Sequence, residues 1–290
     1  FSIKSVQDVD ISGKRIVVRA DFDVSLNKNH TIANDTRIKS NIPTLLFLLE
    51  KKCRIICIGK LNRPESRHPD HSLKVVVDAL PHYLPGCSFK LIDDFLTEKP
   101  EIFEQQQPQE VFVLENIRFY PEEEKNDAQF AEKLAQLGDF FVLDAFAMAH
   151  RDEASVTGIP HYIPGLAGLT FEKEVDIISK ALKEKKKPFV TIVGGAKISS
   201  KISLLEKFIA ISDFVLLGGG LANTFLAAQN VNIGRSLCEK DNIQQAANLY
   251  ALKDRHNTSL QLPVDAVIAE DPESAPSVVD IDNVPESHKI

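Results

Sequence analysis

Charged and amide side chains of this sequence collect where short β-branched runs end. Two aspartates follow the run at 15–20, other groups follow the runs at 54–58, 111–114 and 140–143, and Arg37 heads the first predicted helix. The side chains concerned are Asp21, Asp23, Arg37, Lys60, Asn62, Arg63, Arg118 and Arg151. In an open parallel sheet these positions share the carboxyl edge, where ligands bind.

The basic members of this group predict an anion site. Arginine has a planar, forked guanidinium that suits phosphate and carboxylate, and the chain as a whole carries a net charge of −7. Any one of these arginines alone would more often form a surface salt bridge. Several of them after successive strands instead indicate a small, strongly anionic ligand.

A second group, rich in glycine, follows strands further along the chain. Gly194 and Gly195 precede Lys197 and Lys201, and a further run, Gly218 and Gly219 with Gly220, follows the next predicted strand. Glycine lets the backbone approach a ligand closely, and the helix N-terminus that follows favours phosphate. Each run alone is better explained by a tight turn, but two runs with two lysines predict a nucleotide.

Three familiar motifs are incomplete. The spacing of a P-loop is absent, and Asn223 stands where a dinucleotide fingerprint needs glycine. His150-Arg151-Asp152 resembles a protein-kinase catalytic loop, but Thr157 stands where that loop needs asparagine. These classes of enzyme are therefore disfavoured.

The alternation of strands and helices predicts an α/β protein with two doubly wound, Rossmann-like parallel-sheet domains joined by a long helix. We expect an anion-binding domain at 1–170, a connecting helix at 171–187 and a nucleotide-binding domain at 188–290. About 100 residues is small for a doubly wound domain, so the second domain is expected to be partial.

Composition limits the partners. A net charge of −7 disfavours nucleic-acid binding through bulk positive charge, and no apolar run approaches a membrane span. The four cysteines lack zinc-ligand spacing, so no protein metal site is expected, and they fit a reducing cytoplasm. Nothing indicates an obligate oligomer, and we expect a monomer.

Nine short strings follow one another along the chain: 18–24 (VRADFDV), 34–38 (NDTRI), 114–119 (LENIRF), 121–127 (PEEEKND), 144–146 (DAF), 149–151 (AHR), 194–201 (GGAKISSK), 218–222 (GGGLA) and 262–265 (LPVD). In their order and spacing, the chain resembles phosphoglycerate kinases along its whole length.

The resemblance implies reversible phosphoryl transfer between ATP, with Mg²⁺, and 3-phosphoglycerate, giving ADP and 1,3-bisphosphoglycerate in glycolysis. By analogy, the residues after the strands of the first domain hold the phosphoglycerate, and Lys201 touches nucleotide phosphates. Lys197 and Arg37 would stabilise charge on the transferred group, as phosphoryl transfer requires.

Several positions depart from the pattern of the family. Lys60 and Asn62 replace the histidine and glycine of its His-Leu-Gly-Arg-Pro loop, and Asp23 replaces an asparagine. Asn62 is expected to crowd a backbone that glycine leaves open, and Asp23 adds a negative charge where an anion should bind. The Gly-Pro-x-Thr, Trp-Asn-Gly-Pro and Gly-Gly-Asp motifs of the family do not occur, so we expect a fragment with reduced or no activity.

Two other hypotheses stay open. One is a naturally short relative that keeps the anion site without catalysing a reaction. The other is an unrelated two-domain sugar-phosphate enzyme, which would require the whole series of motifs to be accidental.

Overall fold

The computed structural model describes residues 3–290. The chain forms two compact units that divide between Ser179 and Lys180. None of the helices in these described residues is long and apolar enough to cross a lipid bilayer.

The strands of the first unit are β1 (Arg15–Arg19), β2 (Ser25–Leu26), β3 (Ile32–Asn34), β4 (Arg54–Ile58), β5 (Ser88–Ile92), β6 (Glu110–Leu114), β7 (Phe140–Leu143) and β8 (Gly165–Ala167). Its helices are α1 (Thr36–Glu50), α2 (Lys74–Tyr83), α3 (Pro100–Glu104), α4 (Pro121–Glu124), α5 (Ala128–Ala135) and α6 (Leu169–Lys183), the last of which crosses the division. Helix α5 begins with a cap in which the Asp127 carboxylate accepts the Phe130 N–H.

Six strands of the first unit form one parallel sheet in the order β5-β6-β4-β1-β7-β8. Successive residues of β1 enter two different apolar cores, with Val18 in one and Val17 in the other. Both residues are fully buried because helices cover the two faces of the sheet. The first unit is therefore doubly wound, and its carboxyl edge carries the predicted anion-binding residues.

The second unit contains β9 (Val190–Val193), β10 (Phe214–Leu217), β11 (Ser259–Gln261), β12 (Asp265–Ile268) and β13 (Ser277–Asp280). Its helices are α7 (Ile202–Ile211), α8 (Gly219–Ala228) and α9 (Ile243–His256). The first three strands form a parallel sheet in the order β11-β10-β9, and β12 and β13 form an antiparallel pair.

One face of the β9–β11 sheet packs on helices, and the other is largely open. Val193, Val215 and Leu217 are buried in the core with residues of α7, α8 and α9. On the opposite face, the side chain of Ile192 is 76% exposed, and Val190 and Phe214 are also exposed. In the described part of the chain, the covering expected for both faces is therefore present on only one face of this sheet.

The helix predicted at 171–187 begins earlier and ends earlier than the sequence pattern indicates, because α6 spans Leu169–Lys183. Pro188 disfavours helical backbone at the residue before it, and a longer helix would place the like charges of Lys183 and Lys187 four residues apart on one face. The antiparallel strand β13 lies in a polar, proline-punctuated segment where the sequence pattern predicts no strand.

A buried carboxylate, Asp144, fixes the start of α6. Its Oδ1 accepts the N–H groups of Thr170 at 3.0 Å and Phe171 at 3.2 Å, and the Thr44 hydroxyl oxygen accepts the Leu169 N–H at 2.9 Å. Burial raises the pKa of Asp144 to about 6, although these amides act in the opposite direction. The end of β7 is thereby attached to the beginning of α6.

We expect Asp144→Asn to stabilise the protein at neutral pH relative to the wild type. The folded pKa of Asp144, about 6, lies above the ordinary value of 3.8. In the pH interval between these two values, the folded state holds a proton that the unfolded state has lost. Wild-type stability therefore falls as pH rises through this interval, and the asparagine variant lacks that loss. The expected gain at about pH 7.5 is up to ~2–3 kcal/mol, and it should fall below about 1 kcal/mol at about pH 4. Urea unfolding at both pH values measures it, and an equal effect at the two values would contradict the prediction.

Candidate functional site

Adjacent strands bring the predicted anion-binding residues to one edge of the first unit. Arg118 follows β6, Lys60 and Arg63 follow β4, Asp21 and Asp23 follow β1, and Arg151 follows β7. These strands are consecutive neighbours in the order β6-β4-β1-β7. The chain moves to one side of β1 to form β4 and later returns to form β7 on the other side, which creates the crevice where open α/β sheets bind ligands.

Arg37, on the first turn of α1, reaches back to the end of β1. Its Nη1 donates to both carboxylate oxygens of Asp21, at 2.8 Å and 3.0 Å. One turn later, the Asn41 amide accepts the Asp21 N–H at 3.0 Å and donates to the Asp21 carbonyl at 2.9 Å. The Arg37 side chain is still 44% exposed, so its other N–H groups remain available to an anion.

Asp23 and Lys60 form an ion pair that the sequence does not predict. The Lys60 ammonium donates to Oδ2 of Asp23, and the Lys60 side chain is only 7% exposed. Oδ1 of Asp23 accepts the Asn62 N–H at 2.8 Å. Burial alone would raise the pKa of Asp23, but the bonds from Lys60 and Asn62 outweigh it and lower the pKa. The Asp23 charge thus neutralises Lys60.

Asn62 and Arg63 lie on the loop after β4. Asn62 has a φ of 60°, in the left-handed region that glycine adopts freely and asparagine tolerates better than most residues. The Asn116 amide fixes the loop by donating to the carbonyls of Leu61 at 2.7 Å and His71 at 2.8 Å. Arg63 is exposed and has no ion-pair partner among residues 3–290, so it is available to a ligand.

Arg118 is already paired with carboxylates. Its side chain is 5% exposed, and its two terminal nitrogens donate to Glu124 and, at 2.5 Å, to Glu153. Glu153 also accepts from Arg151 at 3.3 Å. Because Glu124 is largely exposed, an incoming anion can replace it on Arg118 at small cost.

A buried network supports this end of the edge. Arg19, which is fully buried in β1, donates from Nε to Ser155 Oγ at 2.8 Å, and the Ser155 hydroxyl donates to Glu123 at 2.5 Å. Burial raises the pKa of Glu123, while the Arg19 charge opposes the shift. The sequence analysis missed Arg19, although a charge inside an otherwise apolar strand is a signal for such a network.

In the second unit, the two glycine runs contact each other through their backbones. The Leu221 N–H donates to the Gly195 carbonyl at 2.8 Å. Gly219 has a φ of 66°, and a Cβ at that position would lie 3.1 Å from the Gly195 carbonyl oxygen. A Cβ on Gly195 would lie 3.2 Å from Nζ of Lys201, so that ammonium lies directly over the first run. Larger residues would separate the runs.

The structure brings Gly194, Gly195, Lys201 and the run that includes Gly218 and Gly219 together at the carboxyl ends of β9 and β10. Lys197 is exposed on the same turn. Within residues 3–290, no group of three or more histidine, cysteine, aspartate or glutamate side chains is arranged to hold a metal ion.

Comparison with known proteins agrees with this geometry. The family model described as phosphoglycerate kinase matches residues 6–290. The chain belongs to the phosphoglycerate kinase family. This is a family of nucleotide-binding kinases of glycolysis.

Two relatives named phosphoglycerate kinase illustrate the similarity. The protein from Chloroflexus aggregans is 42% identical over 292 residues, which cover 99% of this chain and 73% of the relative. That from Desulforudis audaxviator is 43% identical over 272 residues, covering 93% of this chain and 69% of the relative.

Solved structures of the family share the fold. Phosphoglycerate kinase from Coxiella burnetii has a TM-score of 0.83 at 36% identity and covers 100% of this chain and 74% of its own. The enzyme from Pyrococcus horikoshii has a TM-score of 0.80 at 25% identity, covering 98% and 72% respectively. The predicted fold class and family are therefore confirmed.

The Asp23–Lys60 pair is expected to contribute strongly to stability. Asp23→Asn leaves the Lys60 ammonium buried without a partner and should lower the free energy of unfolding by about 3 kcal/mol. Lys60→Met should cost less, and the double variant should recover about 1–2 kcal/mol relative to the sum of the two changes. Urea unfolding of all four proteins gives this coupling.

The exposed pair of Lys74 and Asp78, at 2.7 Å, is the matched control. Its coupling should stay below about 0.5 kcal/mol because solvent screens both charges. If the Asp23–Lys60 coupling were as small as that of the control, the ion pair would not hold this loop.

Proposed function

We propose that this protein transfers a phosphoryl group between ATP and 3-phosphoglycerate, giving ADP and 1,3-bisphosphoglycerate. The observation that carries the proposal is the placement of basic residues after three parallel strands of the first unit, β4, β6 and β7, and on the first turn of α1. A three-carbon acid with a carboxylate and a phosphate presents two anionic groups to such an edge. Membership of the kinase family supports the same assignment.

In the first unit, Arg37, Arg63 and Arg151 supply guanidinium groups to the phosphoglycerate. Asp21 orients Arg37, and Asp23 orients the Asn62 backbone by accepting its N–H. The sequence suggests that Lys60 contacts the substrate directly. Because its ammonium already binds Asp23, we assign it the task of holding that carboxylate in place. Arg118 binds the ligand after exchange of its exposed partner, Glu124.

In the second unit, Lys197, Lys201 and the glycine runs bind the nucleotide phosphates. A carboxylate oxygen of 3-phosphoglycerate attacks the γ-phosphorus, and the bond from that phosphorus to the bridging oxygen of ADP breaks. Lys197 and Arg37 stabilise the negative charge on the transferred group, which is the main contribution a protein makes to this reaction. We therefore propose that residues 1–170 bind 3-phosphoglycerate and that residues 188–290 bind the nucleotide.

Mg²⁺ would arrive with the nucleotide, whose phosphate oxygens are hard ligands that suit it. The described residues fit the phosphates through lysines and backbone but supply no set of carboxylates for a resident ion. The ion would neutralise phosphate charge and would be held by the nucleotide.

We place the protein in the cytoplasm as a monomer. Cys53, Cys57, Cys87 and Cys238 are all free thiols, as a reducing compartment favours. Burial raises the pKa of Cys57 to about 12 and that of Cys53 to about 11, so these thiols resist oxidation.

A second candidate function is anion binding without catalysis. It is favoured by the pairing of Lys60 and Arg118 with Asp23, Glu124 and Glu153, which lowers the charge available to a ligand. The two candidates differ in whether nucleotide binds and phosphoryl transfer follows.

Calorimetric titration of 3-phosphoglycerate into the folded chain tests the anion site. We expect saturable binding that weakens at least about tenfold in Arg37→Ala and Arg151→Ala, because each removes charge-assisted hydrogen bonds. Arg255→Ala, which removes an exposed arginine of α9, is the matched control and should bind as the wild type does. Absence of binding by a folded wild-type chain would contradict the assignment.

We expect the 290-residue chain itself to turn over weakly, below about one reaction per second, whereas many enzymes reach about ten. The reason is that Lys60 and Arg118 are already paired with carboxylates, which lowers the positive charge available to the substrate. A coupled assay of a purified, mass-verified sample measures the rate. Rapid turnover by that sample would contradict this expectation.

A further inference from the structure

Glu239 binds the backbone between Lys197 and Lys201, the two lysines of the predicted nucleotide site. Its carboxylate accepts the N–H groups of Ile198 at 2.5 Å and Ser199 at 3.0 Å, together with the Ser199 hydroxyl at 2.7 Å. The turn Ser199–Lys201, which leads into α7, has Ile198 at its N-cap, and this residue makes no capping side-chain hydrogen bond. A carboxylate 40 positions further along the chain therefore supplies the cap.

Glu239 is also fixed to the second glycine run. Its own N–H donates to Thr224 Oγ1 at 3.2 Å, and the Thr224 hydroxyl donates to the Gly220 carbonyl at 3.3 Å. The neighbouring residue on the same helix, Asn223, donates from its side-chain amide to the Leu237 carbonyl at 3.2 Å. Glu239 thus connects the helix after the second run to the turn after the first.

The lysines remain available while Glu239 serves the backbone. In residues 3–290, neither Lys197 nor Lys201 has a carboxylate within ion-pair distance. The Ser199 amide and hydroxyl lower the pKa of Glu239, and the Lys197 charge acts in the same direction. The ionised carboxylate of Glu239 is therefore occupied by three donors, the Ile198 N–H, the Ser199 N–H and the Ser199 hydroxyl.

We propose that Glu239 is a positioning residue that holds Lys197 and Lys201 in place for the nucleotide phosphates. The inference rests on the proposed function, because it assigns those phosphates to the lysine turn. Glu239 makes no contact with substrate in this role. It acts by fixing the first N–H groups of the turn and by coupling the turn to Gly220.

The experiment compares MgADP binding by calorimetry for the wild-type chain, Glu239→Gln and Glu239→Ala. The glutamine keeps an acceptor and should weaken MgADP about threefold, whereas the alanine should weaken it about tenfold or more. Glu206→Gln removes an equal charge from exposed α7 and should change nothing. Binding of 3-phosphoglycerate should be the same in all four proteins, which shows that the first unit is folded, and unchanged far-UV circular dichroism should show that the second unit is folded too.

Hydrogen exchange of the Ile198 and Ser199 amides gives a second readout that needs no nucleotide. Their exchange should accelerate about tenfold in Glu239→Ala and less in Glu239→Gln. Tighter MgADP binding in the variants would overturn the proposal, because Glu239 would then compete with phosphate, and unchanged exchange would overturn it too. If the wild-type chain fails to bind MgADP, the proposed nucleotide function fails, whereas exchange still decides whether Glu239 holds the turn.

Discussion

Parallel pairing of β1 with β4 on one side and β7 on the other is the constraint on which the first unit depends. The backbone ladder continues past the ends of these strands, since Ala20 donates to the Ile58 carbonyl at 2.9 Å and Asp144 to the Arg19 carbonyl at 3.0 Å. Each turn therefore leaves its strand at the same height. Side chains separated by over 100 residues in sequence reach one edge without any loop having to cross the sheet.

Charge compensation shapes that edge. From Asp21 through Arg37 and Asp23 to Lys60, the side chains alternate in sign, and each cation touches or approaches a carboxylate. Such pairing holds long, flexible side chains in one geometry before a ligand arrives. The carboxylates also restrict the basic edge, so an anion must offer better bonds than they do.

The sequence was a good guide to elements formed by local pattern. The apolar runs at 54–58 and 140–143 became β4 and β7, and Asp127 capped α5, because burial and capping depend on neighbouring residues. The basic edge followed from the order of those elements, and the family followed from the sequence strings that lie along them.

Contacts between distant residues were beyond that reasoning. Nothing near Lys60 in the sequence indicates that Asp23, 37 positions away, will neutralise it. Likewise, no local pattern links Glu239 to the Ser199 turn. The sequence does not predict β13, the antiparallel partner of β12, because this strand is formed by pairing and has no apolar period of its own.

The contact between Asp23 and Lys60 also has a historical consequence, since it orders the steps by which the two positions can diverge. A chain that first loses Lys60 keeps the Asn62 amide on Asp23 and leaves Arg37 4.0 Å from that carboxylate. A chain that first loses Asp23 strands an ammonium out of water. The two positions are therefore expected to diverge through chains that lack the lysine at position 60. Lineages with a lysine at position 60 but no acid at position 23 should be rare.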